Sequence, residues 1–130
     1  SRGMWVEPMA RHRCLVPMSS FYEWQALPGG RKLPHELRRP DGDWLWIAGL
    51  YQPTEEFGSC FATITTEPTQ ESARVHDRLL AIVDFEDGMA FLHGGKSSFF
   101  PYPGPLRIEP CESPLKSRKP KPGDSQGTLF

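Results

Sequence analysis

Residues 13–30 read RCLVPMSSFYEWQALPGG. This stretch shows the alternation of short strand-like runs and turn residues that continues along the chain. A β-like run is interrupted at Pro17, a second run begins at Phe21, and Pro28-Gly29-Gly30 then provides a turn. Proline marks the ends and edges of strands, and Pro-Gly pairs are typical of tight connections. The stretch therefore predicts two short strands followed by a hairpin connection.

Short strands and strong turn signals continue beyond this stretch. Pro40-Asp41-Gly42 separates two further strand-like runs, and residues 59–66 alternate as a strand does. The alternation of Trp44 and Trp46 with Leu45 and Ile47 predicts a strand that is buried on both faces.

Helical signals are few. Apolar residues at near-helical spacing in residues 85–92, followed by Gly94-Gly95, predict one short helix, and residues 69–83 predict a short helix or turn before a strand. One last strand is expected within residues 101–115. Since strands dominate, the class is α+β with a mostly antiparallel sheet and few short helices.

Composition sets broad limits on function. A chain of 130 residues corresponds to one domain, and a net charge of −1 does not by itself select a polyanion, although a neutral total is compatible with a local basic groove. No apolar run approaches the roughly 18 residues of a membrane span. We therefore expect no membrane partner.

The cysteines and histidines indicate neither a disulfide scaffold nor a metal site. Cys14, Cys60 and Cys111 are far apart, odd in number and outside any C-x-x-C pattern. They predict free thiols in a reducing compartment. The four histidines are scattered without ligand spacing, so we expect no metal or other cofactor.

Glu23 and His76 are candidates for acid–base chemistry, each with a structural alternative. Glu23 is flanked by Tyr22 and Trp24, and an apolar wall would raise its pKa, whereas most glutamates are simply exposed. His76-Asp77-Arg78 combines a histidine with an orienting carboxylate and a phosphate-binding guanidinium. The same residues also suit a helix cap and an ion pair.

Further polar and aromatic residues are candidates for nucleic-acid binding. Thr65 and Thr66 provide hydroxyls for a phosphate, or only β-propensity. Trp24 is either core or a stacking platform for a base, and Arg13 belongs to a basic run at residues 11–13. Each cluster by itself is more typical of a structural role. Because the clusters occur together and in one order along the chain, a functional role is favoured for them.

Six blocks carry that order between about residues 11 and 93: RCLVPMSSFYEW, KLPHEL, IAGLY, ATITTEP, VHDRLLAIV and GMAFLHG. Together they resemble the successive motifs of the SRAP family, the SOS response-associated peptidases. The resemblance implies a compact α+β fold on a twisted, barrel-like antiparallel sheet with a positively charged groove. It also implies a location in the bacterial cytoplasm, or in the nucleus of a eukaryote.

The resemblance implies a reaction as well. The family recognises abasic sites in single-stranded DNA, and its N-terminal cysteine condenses with the sugar aldehyde to a thiazolidine DNA–protein crosslink. Its peptidase activity would be mainly self-processing at the N-terminus. By resemblance, Glu23 and His76 assist catalysis, Arg78 and one of Thr65 or Thr66 hold phosphate, and Trp24 lines the DNA groove.

The family's N-terminal motifs have no clear counterpart here. The Met-Cys-Gly-Arg start is missing, and Cys14 reads as strand core and not as a nucleophile. For the family's Asn-Ala-Arg block the nearest match is Ser1-Arg2, so Arg2 joins Arg13 as a DNA-binding candidate. Two explanations stay open: a fragment of a crosslinking enzyme, or a divergent relative that binds DNA without forming a covalent bond.

The C-terminal residues suggest a second partner. We expect the SRAP-like domain to cover residues 1–115 and a flexible basic tail to cover residues 116–130. Gln126, Leu129 and Phe130 form a Q-x-x-L-F sequence that resembles the peptide with which bacterial proteins dock on the DNA sliding clamp. Its two apolar residues would fill a pocket while the glutamine bonds at the rim.

Overall fold

The computed structural model describes residues 11–56, 58–96 and 98–115. These ranges contain the α-helix α1 (Phe85–Leu92) and two short 3₁₀ turns at Pro28–Gly30 and Ser72–Arg74. The strands are β1 (Arg13–Met18), β2 (Phe21–Ala26), β3 (Lys32–Arg38), β4 (Leu45–Thr54), β5 (Gly58–Thr63), β6 (Thr65–Thr66), β7 (Leu79–Leu80), β8 (Ile82–Val83) and β9 (Arg107–Pro110).

Every strand pairing in the described residues is antiparallel. A four-stranded sheet has the order β1-β4-β5, with β8 also paired to β4. A second sheet has the order β2-β3-β9, and β6 and β7 form a two-stranded ladder. The predicted α+β class with mostly antiparallel strands is confirmed.

One face of the four-stranded sheet packs against the β2-β3-β9 sheet. Ile47 of β4 lies opposite Val16 of β1. Both belong to a core that also contains Phe21 and Leu37 from the second sheet. Since side chains alternate along a strand, these residues place one continuous apolar layer between the two sheets.

Helix α1 covers the other face of the same sheet. Ala48, Leu50 and Phe91 are buried together there. Asp84 caps the helix by accepting a 2.8 Å hydrogen bond from the backbone of Asp87. Gly88 permits the close approach, because a Cβ there would lie 3.0 Å from Leu15.

Arg13 holds the other end of the helix. Its guanidinium donates to the carbonyl oxygens of Phe91 and Lys96, each at 2.8 Å, and lies 4.9 Å from the centre of the Phe91 ring. A cation is favourable at a helix C-terminus, where carbonyl groups lack partners.

Three backbone hydrogen bonds tie the four-stranded sheet to the β6–β7 ladder. Ala48 donates to the carbonyl of Ala81 (3.0 Å), Ala81 to that of Ile64 (2.8 Å), and Ile64 to that of Ala48 (2.9 Å). Ala48 and Ala81 have no exposed surface. This closed triangle fixes where the chain leaves β5 and where it enters β8.

The burial of the first residues of β4 differs from the prediction. Leu45 and Ile47 are buried, but Trp46 is 41% exposed, and Trp44 is 54% exposed and precedes the strand. Trp46 shares a face with Ala48, yet α1 packs against the sheet further along β4. The prediction of burial on both faces is therefore wrong at Trp46.

In the part of the chain that the structure describes, no helix is long and apolar enough to cross a membrane. All three cysteines are free thiols.

We expect Phe91→Ala to lower the free energy of unfolding by about 3–5 kcal/mol, because the ring is fully buried between α1 and the sheet. Phe85→Ala in the same helix is the matched control, since Phe85 is 77% exposed and should change stability by at most about 0.5 kcal/mol. Urea unfolding followed by tryptophan fluorescence measures both. Equal losses in the two variants would contradict this packing of α1.

Candidate active site

Glu23 and His76 meet although they are far apart in the chain. Oε1 of Glu23 lies 3.9 Å from Nε2 of His76. Glu23 sits in the middle of β2, opposite His35 of β3, and shares a strand face with the buried Phe21. Its side chain is consequently turned inward and only 21% exposed.

The loop that carries His76 is tied down on both sides. Before it, Thr69 and Ser72 exchange backbone-to-hydroxyl hydrogen bonds of 2.9 and 3.0 Å, and the His76 amide donates to the Ser72 carbonyl at 3.0 Å. After it, Leu79 pairs with Thr66 in the β6–β7 ladder. The position of the imidazole is thus set by local turn chemistry and by strand pairing.

The imidazole of His76 has partners in both of its protonation states. The amide of Arg78 lies 3.2 Å from Nδ1 and can donate to it, which leaves the proton of a neutral ring on Nε2, facing Glu23. The carbonyl of Arg78 lies 3.3 Å from Nδ1 and Oδ1 of Asp77 lies 3.4 Å from it, and both can accept from a protonated ring. A histidine supported in both states is suited to passing a proton.

Burial raises the pKa of Glu23 above its ordinary value, and the negative charge of Asp77 adds to the rise. His76 opposes this shift by lowering the same pKa, but burial is the larger effect. Glu23 therefore keeps its proton to a higher pH than an exposed glutamate. Together with the neighbouring imidazole it forms a pair that can hold one proton in two places.

The pair opens into a cavity of about 440 Å³ lined by Glu23, Trp24, Lys32, His76 and Leu115. This volume lies in the range of small-molecule sites in proteins. Trp24 provides an aromatic surface beside the carboxylate, as the sequence suggested. Lys32 was not among the predicted site residues; its signal was its place in the KLPHEL block, which forms the strand paired with FYEW.

Arg78 and Thr65 lie together beside this loop. The guanidinium of Arg78 donates to the hydroxyl of Thr65 at 3.1 Å, to the Thr65 carbonyl at 3.0 Å and to the carboxylate of Glu67 at 3.2 Å. Both Arg78 and Thr65 are exposed. A phosphate reaching Arg78 would compete with Glu67 for the same cation.

Thr66 and Arg13 occupy different environments from the one proposed for them. Thr66 is only 3% exposed, and its hydroxyl donates to the Glu67 carbonyl at 2.7 Å. The guanidinium of Arg13 caps α1 as described above. Of the two threonines, Thr65 is the exposed one, and its hydroxyl accepts a hydrogen bond from Arg78.

Cys14 does not have the environment of a nucleophile. It lies in β1, and burial raises the pKa of its thiol, which lowers the thiolate fraction that a nucleophile needs. Arg2, Gln126, Leu129 and Phe130 lie outside the described residues. Across residues 11–56, 58–96 and 98–115, no three His, Cys, Asp or Glu side chains are grouped to hold a metal ion.

Comparison with known proteins assigns the family. The model of the SOS response associated peptidase family, SRAP, matches residues 1–100. The chain belongs to the SRAP family. Two curated relatives of this SRAP protein carry names that refer to abasic sites. They are an abasic site processing protein of Saccharomyces cerevisiae, 32% identical over 82 residues, and the abasic site processing protein YoqW of Bacillus subtilis, 31% identical over 91 residues.

The SRAP chain spans only part of these relatives. The matches cover 62% of this chain and 22% of the yeast protein, and 67% of this chain and 41% of YoqW. A crystal structure of a protein from Bacteroides thetaiotaomicron superposes with a TM-score of 0.71 at 22% identity, over 86% of this chain and 55% of that one. This likeness shows that the two chains share a fold.

We expect Glu23→Gln to stabilise the protein relative to wild type as the pH rises from about 4 to about 8. Burial raises the pKa of Glu23 in the fold, so folding disfavours its ionised form. The stability that the protonated carboxyl contributes is present below the unfolded-state pKa and is lost as the pH rises through the folded-state pKa, whereas the amide does not titrate.

Urea midpoints of both proteins across this pH range measure the difference. Glu56→Gln, an exposed carboxylate after β4, controls for the loss of one negative charge. If the difference in urea midpoint between Glu23→Gln and wild type stays constant with pH, or shifts in favour of wild type as the pH rises, the pKa of Glu23 is not raised.

Proposed function

We propose that this SRAP domain recognises and processes abasic sites in single-stranded DNA. The observation that carries the proposal is the half-buried Glu23–His76 pair, 3.9 Å apart, at the wall of a cavity that also contains Trp24. The names of the yeast and Bacillus relatives support the same substrate.

The pair suits the first chemical step at an abasic site. The sugar exists mainly as a cyclic hemiacetal, and opening it requires a proton to leave the anomeric hydroxyl while another reaches the ring oxygen. A carboxyl group with a raised pKa and an imidazole with partners in both protonation states can perform these two transfers. The product is a free aldehyde in the cavity.

The second step is covalent capture of that aldehyde. An N-terminal cysteine of the complete protein would supply its α-amine to form an imine, and its thiol would then add to close a thiazolidine ring. Exposure of that cysteine would be the self-processing, peptidase step. Cys14, Cys60 and Cys111 carry peptide nitrogens in place of a free α-amine, so none of them fits this role.

DNA contacts outside the reacting sugar would come from both sides of the loop that carries His76. Trp24 offers a face on which a neighbouring base can stack, and Arg78 with Thr65 presents donors to a phosphate. The alternative function uses the same surface without chemistry: a module that binds single-stranded or abasic DNA and forms no covalent bond.

The rate at which an alkoxyamine labels an abasic site in single-stranded DNA reports ring opening without any N-terminal cysteine. We expect the wild-type chain to accelerate labelling and Glu23→Ala or His76→Ala to lose most of an acceleration of about 10²–10⁴-fold. Both variants should still bind the DNA on a native gel. Variants that label as fast as an accelerating wild type would contradict the roles of Glu23 and His76, and a wild type that binds the DNA without accelerating labelling would support the binding-module alternative.

We further propose that the C-terminal sequence Gln126-Gly127-Thr128-Leu129-Phe130 docks on the DNA sliding clamp. Such a peptide would bring the domain to replicating DNA, where single strands are exposed. The support is the Q-x-x-L-F spacing, in which two apolar side chains would anchor in a pocket.

We expect Phe130→Ala to weaken capture by immobilised sliding clamp by at least about thirtyfold, the equivalent of about 2 kcal/mol for an interface anchor. Thr128→Ala, at a spacer position of the motif, is the matched control and should bind as wild type does. Equal recovery of both variants would rule out this docking mode.

A further inference from the structure

Glu67 and Arg78 face each other at the open end of the β6–β7 ladder. The register of the ladder pairs Thr66 with Leu79, so the next pair along the two chains is Glu67 with Arg78. The side chains meet there, with Nη1 of Arg78 3.2 Å from Oε1 of Glu67. The loop that carries His76 runs between these two residues, so the ion pair closes the base of that loop.

The main chain on each side of this ion pair is fixed by other contacts. The buried hydroxyl of Thr66 donates to the Glu67 carbonyl at 2.7 Å, and the Arg78 amide lies 3.2 Å from Nδ1 of His76. The Glu67 side chain, in contrast, is 79% exposed. Its carboxylate can turn into solvent without losing buried contacts, and the main chain that positions His76 would stay in place.

Thr65 and Glu67 bind different N–H groups of the Arg78 guanidinium. The hydroxyl of Thr65 accepts from Nε at 3.1 Å and its carbonyl accepts from Nη2 at 3.0 Å, so one edge of the guanidinium has neutral partners. Glu67 brings the negative charge, at Nη1. A guanidinium has five N–H groups and binds a phosphate best through two parallel ones, which leaves the edge formed by Nη1 and Nη2 for DNA. A phosphate at that edge would lie beside the Glu67 carboxylate, and the two negative charges repel each other.

We propose that a DNA phosphate replaces Glu67 on Arg78 when the single strand binds, so that Glu67 is a competitor for the phosphate site. This inference rests on the proposed function, because it concerns the same strand on the same surface. In the DNA-free protein the carboxylate compensates the charge of Arg78. In the complex the phosphate does so, and the carboxylate turns into solvent.

The exchange limits what Arg78 contributes to DNA binding. The free energy gained from the phosphate contact is reduced by the free energy of the ion pair that it replaces. An arginine without an acidic competitor would hold every single strand more tightly, undamaged strands included. Glu67 thus leaves a larger share of the affinity to contacts in the cavity, where the abasic sugar would bind.

Fluorescence anisotropy with a single-stranded oligonucleotide that carries one tetrahydrofuran site measures affinity without an aldehyde, and hence without chemistry. We expect Glu67→Gln, which removes the charge and keeps the size of the side chain, to tighten binding about two- to fivefold at fixed ionic strength. Glu71→Gln is the matched control, because it removes one negative charge from another exposed side chain of the same loop. It should bind nearly as wild type does.

A double-mutant cycle tests whether the effect acts through Arg78. In an Arg78→Gln background, Glu67→Gln should leave the affinity unchanged, since no guanidinium remains for which the carboxylate and the phosphate compete. With saturating abasic DNA, Glu67→Gln should accelerate alkoxyamine labelling as much as wild type does, because in the complex the carboxylate has already left Arg78.

Three results would overturn the exchange. Equal tightening by Glu71→Gln, or tightening that persists in the Arg78→Gln background, would show a general effect of charge. Unchanged or weaker binding by Glu67→Gln would show that the carboxylate does not compete with DNA. A slower saturated rate would show that Glu67 supports the complex.

Failure of the proposed function would look different. A wild type that binds the oligonucleotide but does not accelerate labelling would remove the proposed chemistry, and the affinities of the variants would still decide whether the exchange occurs. A wild type that does not bind single-stranded DNA would remove both.

Discussion

The closed triangle of backbone hydrogen bonds among Ala48, Ile64 and Ala81 is the constraint on which the site depends. It joins the longest strand, β4, to both ends of the segment that contains the β6–β7 ladder and the loop with His76. Two of its residues are alanines without exposed surface, so the chains approach closely and larger side chains would not fit. The loop is consequently held at a defined distance from β2, which carries Glu23.

The electrostatics of the site follow from that placement. Glu23 faces inward because it shares a strand face with Phe21, and partial burial raises its pKa. His76 lies close enough to oppose that shift without forming a hydrogen bond, since the two atoms are 3.9 Å apart. A substrate oxygen between them would complete the path for a proton. An open gap of this kind is what a reacting pair needs in the absence of substrate.

Much of the fold could be predicted from local signals. Pro28-Gly29-Gly30 and Asp41-Gly42 mark real turns, with Gly29, Gly30 and Gly42 at positive φ, and residues 85–92 form the helix that their spacing indicated. Motif order named Glu23, His76, Trp24, Thr65 and Arg78 as candidates, and the structure places the first three at one cavity and joins Thr65 to Arg78 beside it. Lys32 was missed, because its only signal was its place in the KLPHEL block, and the cavity that it lines is formed by segments distant in the chain.

By itself, the sequence determined the strand and turn positions, the SRAP motifs and the chemical groups that are available. These depend on neighbours a few residues away. Only the tertiary structure decided that Thr65 faces solvent while Thr66 is buried, that Arg13 caps α1, and that Lys32 shares a cavity with Glu23. Adjacent strand residues point to opposite faces, and nothing local states which face another element will cover. That choice is made by contacts between segments distant in the chain.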